Sequence, residues 1–488
     1  MLMEAGLPAD RLTRSPAPRS GVGIIHLGLG AFYRAFGAIY VDEAMAAKGG
    51  DWGIIGVSLK SPTTRDALAP QDWAYTSVTL SPEGEQTKVI DVLQDVLVAP
   101  ENPAAVIAAM ADAAVKIVSL TVTEKGYCHN PATGALNPDH PDIQHDLVNA
   151  LPVSAPGFLV RALAARRAAG LAPFTILTCD NLPENGKLVR GVVLQLARLI
   201  DPALADWIAE NARFPATMVD RITPATTDAN IARVTELTGK YDAAPVLHEP
   251  FRQWVIEDDF VGGLRPDFAS VGVQMVQDVT AFEHMKLRML NGTHSSLAYL
   301  GYLAGHETIA DTMANPAFST FVEQLWDEIM PAVATPPGVN LPDYARALKA
   351  RYANPAIRHR TWQIAMDGSQ KLPQRLLGTL AQNLQAGRAC PGLCLAVAAW
   401  MRYVGGVDEA GNPIDVKDPL AEKLRTISAA ASTPTEKVAA LLAVDEVFPP
   451  ALADRLRTPV TAAASLLWAV GAQAAVAKTT ASRQTGGA

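Results

Sequence analysis

The sequence predicts an α/β protein, with a doubly wound N-terminal domain over residues 1–280 and an all-helical C-terminal domain over 281–488. Three observations carry this. The chain opens on a strand–turn–helix–strand pattern. Short apolar runs then alternate with helical patterns as far as about residue 280. Beyond that point the sequence is rich in Ala, Leu and Met at helical spacing, and strand signals nearly disappear.

The first unit reads as an apolar strand at 23–27 (GIIHL), a turn at 28–30, a helix at 32–48 and a second strand at 52–59. Further strands are expected at 116–123 (KIVSLTVT) and 174–178 (FTILT), with helices at 104–114 and 157–169. In the second half, breaks are expected at Pro336-Pro337, Asn354-Pro355, Pro391-Gly392 and the turn-like GVDEAGNP at 406–413. A cleft between two such domains is the expected place for a substrate.

Composition narrows the class. At 488 residues the chain is too long for one hydrophobic core. With 49% hydrophobic and 18% charged residues and no repetitive tract, a soluble globular protein is expected. The net charge of −8 argues against nucleic acid or an anionic membrane as the main partner, leaving a small molecule. The opening MLMEAGLPADRLTRSPAPRS lacks the apolar core of a signal peptide. Residues 460–477 are rich in alanine, interrupted by Gly471 and Gln473. They read as a buried or amphipathic helix, since a membrane span needs about 20 strongly apolar residues. Cys390 and Cys394 flank Pro-Gly-Leu, and no second Cys pair or His-x-x-x-His completes a zinc site. These two, with Cys128 and Cys179, are expected to be reduced thiols in a cytoplasmic protein.

The turn His26-Leu27-Gly28-Leu29-Gly30-Ala31-Phe32-Tyr33-Arg34 sits where a Rossmann-type dinucleotide fingerprint belongs. Gly28 permits the tight turn, and Gly30 lets the backbone approach a pyrophosphate at a helix N-terminus. Tyr33 occupies the place of the third glycine, so an ordinary strand–helix turn is the competing reading. After the second strand, Lys60 and Arg65 precede the first acid, Asp66. They either accommodate a 2′-phosphate or are solvated loop charges. NAD is expected, with NADP left open.

The stretch Phe282-Glu283-His284-Met285-Lys286-Leu287-Arg288-Met289-Leu290-Asn291-Gly292-Thr293-His294-Ser295 is the most informative. At about 100° per residue, Glu283, Lys286, Asn291 and His294 project within an arc of roughly 140°. Leu287, Met289 and Leu290 point elsewhere, as core. One reading is a solvated face with an N-cap-like Asn-Gly at a kink. The other is catalytic. Hydride transfer between a carbinol and nicotinamide needs a proton acceptor or donor, and hydrogen-bond donors around the developing alkoxide. A desolvated Lys286 would be that base, Asn291 would polarise the carbonyl oxygen and His294 would fix a neighbouring hydroxyl. A lysine in this role needs no metal.

The Lys286-x4-Asn291-x2-His294 block resembles the signature of the polyol-specific long-chain dehydrogenases, the mannitol dehydrogenase family. The similarity runs over nearly the whole chain. It includes Gly28-x-Gly30-x-Phe32-x-Arg34, Thr121-x-Thr123-Glu124-x-Gly126-Tyr127, Cys179-Asp180-Asn181 with Asn185-Gly186, Val219-Asp220-Arg221, and Asp367-Gly368-Ser369 with Lys371. The resemblance implies that Lys286 is the acid/base and that Asn181 and Asn291 hold the reacting oxygen. It also implies that His294, Asp220 and Lys371 contact substrate and that Glu283 is tied to proton movement. Gly28, Gly30, Phe32, Arg34, Thr123 and Glu124 fall to the cofactor. A monomer or weak homo-oligomer is the implied state. Gln363 stands where the mannitol enzymes carry an arginine, a departure that speaks against a mannitol-type pocket.

Within the family, TVTEKGYCHNPATG (121–134), EPFRQWVIED (249–258), MKLRMLNGTHSSLAYLGYLAGHETIAD (285–311) and RHRTWQIAMDGSQKLPQRLL (358–377) are most similar to the fructuronate-reducing branch. This implies reversible, NADH-linked reduction of D-fructuronate to D-mannonate. Lys125 stands where mannitol enzymes tend to carry glycine, and it suits a substrate carboxylate; contact with cofactor phosphate or with solvent is the alternative. Arg360, Arg358 and Arg252 are further carboxylate candidates, at least one of which pairs instead with Glu249, Glu257 or Asp258. Competing functions are polyol oxidation (mannitol or arabinitol), tagaturonate reduction and a dinucleotide-binding sensor without turnover.

Overall fold

The computed structural model describes residues 10–131 and 133–485. Backbone contacts divide the chain into two units, Met1–Thr280 and Ala281–Ala488.

The first unit is built on a five-stranded parallel sheet. Its spatial order is Leu93–Val98, Gly53–Ser58, Val22–Leu27, Ile117–Leu120, Thr175–Thr178. Numbered along the chain this is 3-2-1-4-5, the order of a doubly wound dinucleotide-binding sheet. Four of its five strands are buried nearly throughout, as strands covered on both faces must be, and the edge strand Leu93–Val98 is half-buried. Strand order reverses between Val22–Leu27 and Ile117–Leu120, so the loops leaving these two strands flank the switch point, where ligands of such sheets bind.

The expected helix at 32–48 is two helices, Ala31–Ala35 and Gly37–Lys48, separated at Phe36 (φ −132°, ψ −83°). Tyr33 accounts for the break. Its ring lies flat on buried His26, with centroids 3.3 Å apart. A Cβ at Gly37 would lie 2.4 Å from the Tyr33 ring, so Gly37 supplies the close-packing space a third fingerprint glycine otherwise provides.

Two small sheets complete the unit. Tyr75–Ser81 pairs antiparallel with Gly84–Ile90 and parallel with Val246–His248. Gln253–Glu257 pairs antiparallel with Thr217–Asp220 and parallel with Gln274–Val276. Neither sheet was expected. Their strands have only three to seven residues, and Gly84–Ile90 is polar and exposed along most of its length.

The second unit is helical, with nothing beyond isolated bridges as strand among its described residues. Helix Pro391–Tyr403 runs through its core with nearly every side chain buried, which explains why its sequence is apolar all round. The alanine-rich stretch is also two helices, Pro450–Val470 and Ala472–Thr485, parted at Gly471 (φ 78°). Val460, Ala464 and Leu467 face the core at helical spacing. Among the described residues no helix is long and apolar enough to cross a membrane.

Two helices of this unit are locally widened into π-helix, at Lys286–Gly292 and Pro373–Leu377, and the two segments pack together. Single π turns recur at functional sites. Pro373 has no N–H and its ring crowds the carbonyl four residues back, which the wider winding relieves. At Lys286–Gly292 the cause is a set of side-chain donors. Trp326 Nε1 reaches the Met289 carbonyl (3.2 Å), Tyr352 Oη the Leu290 carbonyl (2.7 Å) and Ser296 Oγ the Gly292 carbonyl (2.9 Å). Asn291-Gly292 thus lies inside a continuous helix, without the N-cap-like kink of the solvated-face reading.

Candidate active site

In the second unit the π winding changes which residues share a face. In an α-helix, residues five apart diverge by about 140°. The i→i+5 repeat of a π turn brings Lys286 and Asn291 towards a common side. Lys286 is 8% exposed and His294 6%, so the polar stripe is not a solvated face. Met289 and Leu290 are buried in the core, as expected, and Leu287 is half-buried.

The His294 ring stacks beside Tyr352 (5.2 Å) and meets the edge of His359 (4.6 Å). Burial first, and then His359, Arg375, Arg351 and Lys371, hold its pKa well below the ordinary histidine value. His359 is lowered to about 4 by burial and by Lys371. Both rings are therefore neutral near pH 7 and act as hydrogen-bonding groups. His294 Nε2 is buried without a hydrogen-bond partner among the described residues, and an imidazole nitrogen so placed is costly unless a ligand completes it. Lys371 donates from Nζ to the Met366 carbonyl (2.5 Å), and burial followed by Arg375 lowers its pKa to about 8.

Close contact of the two π segments requires a glycine. A Cβ at Gly292 would stand 2.7 Å from the Arg375 carbonyl oxygen, in backbone that cannot swing away.

In the first unit, Gly28 (φ 88°) forms the turn at the end of Val22–Leu27. Its N–H donates to the Val57 carbonyl (2.9 Å), and the Thr121 hydroxyl donates to its carbonyl (2.9 Å). His26 braces this turn from beneath, through Ser119 Oγ and Thr121 Oγ1, each at 2.8 Å. Gly30 precedes the first helix with no side-chain cap, so backbone N–H groups at the turn remain open to a phosphate. A glycine turn and bare helix start at the switch point fit a dinucleotide. Arg65 pairs at the surface with Asp66 (2.8 Å) and with Glu101.

Loop 121–127 is gripped by Asp180, a residue the sequence reading assigned no role. Its carboxylate accepts the N–H groups of Val122 (2.9 Å) and Thr123 (3.0 Å) and the Tyr127 hydroxyl (2.7 Å). Burial raises its pKa, against the pull of those donors. Thr123 stands at φ 64°, ψ 166°, a region nearly confined to glycine and strained for a threonine. The Asp180 grip holds that strain, and it fixes the turn carrying exposed Glu124 and Lys125. Asp180→Ala is expected to destabilise the first unit by about 1–3 kcal/mol, through the lost charge-assisted hydrogen bonds to Val122, Thr123 and Tyr127. Denaturant unfolding followed by fluorescence checks this, and an unchanged midpoint contradicts it.

The remaining expectations divide. Asn181 is exposed just after Thr175–Thr178, and Asp220 is buried at the end of Thr217–Asp220, opposite Gln253. Glu283 is half-buried on helix Thr280–Met285. Phe32 stacks on Phe36 (5.2 Å). Arg34 needs correcting: it turns inward, donates to the Ala244 carbonyl (2.5 Å) and lies over Tyr75, so its place is structural rather than at a phosphate. Arg252 pairs with Glu43 (2.5 Å) over the Tyr40 ring, not with Glu249, Glu257 or Asp258. Arg358 and Arg360 are exposed and share Glu307 (3.4 and 3.7 Å). All four cysteines are buried free thiols. Cys128, His140 and Asp142 bring ligand-type atoms within 4.8 Å of one another. There His140 Nδ1 already caps the Asp142 N–H (3.2 Å), and burial pushes the Cys128 thiol up to about 12.

Comparison with known proteins matches two family models in succession. Residues 22–269 match the mannitol dehydrogenase Rossmann domain and 278–467 the mannitol dehydrogenase C-terminal domain. The uncharacterized oxidoreductase YdfI of Escherichia coli K12 is 47% identical over 467 residues, 95% of each chain. D-mannonate oxidoreductase of the same organism is 48% identical over 432 residues, covering 87% of this chain and 88% of that one. Among solved structures, the mannitol 2-dehydrogenase of Pseudomonas fluorescens, in ternary complex with NAD and D-mannitol, superposes with a TM-score of 0.83 at 37% identity. That match covers 99% of this chain and 98% of the other.

Proposed function

The chain belongs to the mannitol dehydrogenase family of oxidoreductases, and from that premise we propose that it is an NAD-dependent fructuronate reductase, reversibly converting D-fructuronate to D-mannonate. The observation that carries the proposal is the buried Lys286 on its π turn beside Asn291, in a chain 48% identical to a D-mannonate oxidoreductase. NADH, when bound at the Gly28–Gly30 turn, supplies the hydride.

Lys286 gives a proton to the ketone oxygen in reduction and takes it back in oxidation. Asn291 and Asn181 donate hydrogen bonds to that oxygen as charge develops on it, where preorganised donors act most strongly. Neutral His294 accepts or donates to a substrate hydroxyl through Nε2, the atom that otherwise stays buried and unpaired. Asp220 and Lys371 orient the sugar chain, and Glu283 relays protons to Lys286. Thr123 and Glu124 belong to the cofactor side. The mechanism assigns no work to a metal, and full activity after treatment with a chelator is the expected result.

Polyol oxidation is the second reading, favoured by the likeness to the mannitol enzyme. Incubating the protein with NADH and D-fructuronate, D-tagaturonate or D-fructose, and following NADH absorbance, separates them. The highest kcat/KM is expected with D-fructuronate. Preference for fructose would transfer the assignment to a polyol dehydrogenase, and preference for tagaturonate to its epimeric reductase.

A further inference from the structure

A uronate differs from a polyol by one carboxylate, and the cations first considered for reading it are engaged or exposed. Arg252 is held by Glu43, Arg358 and Arg360 lie at the surface against Glu307, and Lys125 is exposed on its turn. One arginine of the second unit stands apart. Arg375 lies on the π segment Pro373–Leu377, where its Nη1 donates to Ser295 Oγ (3.0 Å), next in sequence to His294. Among the described residues no carboxylate comes within ion-pair distance of it, and the groups acting on its charge besides burial are the hydroxyls of Tyr299 and Tyr352. Burial depresses its pKa. Lys371, four residues earlier, is close enough to be lowered by Arg375, although Asp367 and Asp418 partly offset that. Two mutually repelling cations packed beside an unpartnered buried imidazole are unfavourable until an anion arrives.

We propose that Arg375, together with Lys371, binds the carboxylate of the sugar-acid substrate. The inference rests on the uronate reading above and supplies the group that reading lacked. A guanidinium offers a planar pair of N–H donors that matches a carboxylate, and the ammonium of Lys371 adds a point charge. The Ser295 hydroxyl fixes one edge of the guanidinium and leaves its other donors for the ligand.

The test is equilibrium titration of D-mannonate at saturating NAD into the wild-type protein, Arg375→Gln and Arg375→Lys, with an NADH titration of each variant as the check on folding. D-mannitol and D-fructose 6-phosphate are titrated in parallel into the wild-type protein. Arg375→Gln is expected to weaken D-mannonate about 100-fold, and Arg375→Lys to recover part of that loss. Unchanged D-mannonate affinity in Arg375→Gln overturns the inference and leaves the uronate reading standing. So does equal weakening in both variants, which marks a packing role. Wild-type protein that binds D-mannitol but not D-mannonate overturns the uronate reading, and the inference with it. Tighter binding of the sugar phosphate than of D-mannonate overturns the carboxylate assignment.

Discussion

Lys286→Ala is expected to lower kcat for D-fructuronate reduction by about 10²–10⁴-fold, the range a positioned acid/base contributes. The loss should appear equally in kcat and kcat/KM, because the proton transfer belongs to the transition state rather than to ground-state binding. NADH binding should persist, since the glycine turn is part of the sheet around Val22–Leu27 and is braced by His26 and Thr121. Steady-state rates with a parallel NADH titration check both halves. A variant with undiminished kcat would remove Lys286 from the chemistry. One that no longer binds NADH would show that its role is structural.

Gly292→Val addresses the scaffold of that lysine. The added Cβ would meet the Arg375 carbonyl at 2.7 Å, and the branched methyl groups add to the crowding. Overpacking of this kind costs about 1–3 kcal/mol. The two π segments must part or unwind, which moves Lys286 and Asn291 at one end and Lys371 and Arg375 at the other. A displacement of about 1 Å at reacting groups is enough to cost roughly 100-fold in turnover. A lowered unfolding midpoint together with reduced kcat is therefore expected. Wild-type stability would show that the segments are not locked against each other.

The doubly wound sheet was legible because its central strands are short, apolar and separated by helices, a pattern with few alternative folds. The small sheets were not, since pairings such as Tyr75–Ser81 with Val246–His248 join segments far apart in sequence. The identities of Lys286, Asn291 and His294 were legible as a polar stripe; their arrangement was not. It depends on a π turn held by Trp326 and Tyr352, 37 and 62 residues away from the carbonyls they bind. Nothing local marks those donors. Asp180 stands beside Asn181 in the sequence, but its role follows only from its bonds to the strained loop at Thr123. Arg375 was hidden for the opposite reason. An arginine in a helical stretch reads as solvated, and only its packing without a carboxylate singles it out.

In the proposed reaction a lysine amine moves the proton that accompanies hydride transfer. Single-turnover oxidation of NADH by Lys286→Ala, mixed with D-fructuronate in the presence and absence of methylamine, tests it most directly. A very slow reaction that accelerates in proportion to methylammonium, the protonated form that can donate to the ketone oxygen, is expected. A reaction at the wild-type rate without amine would contradict it.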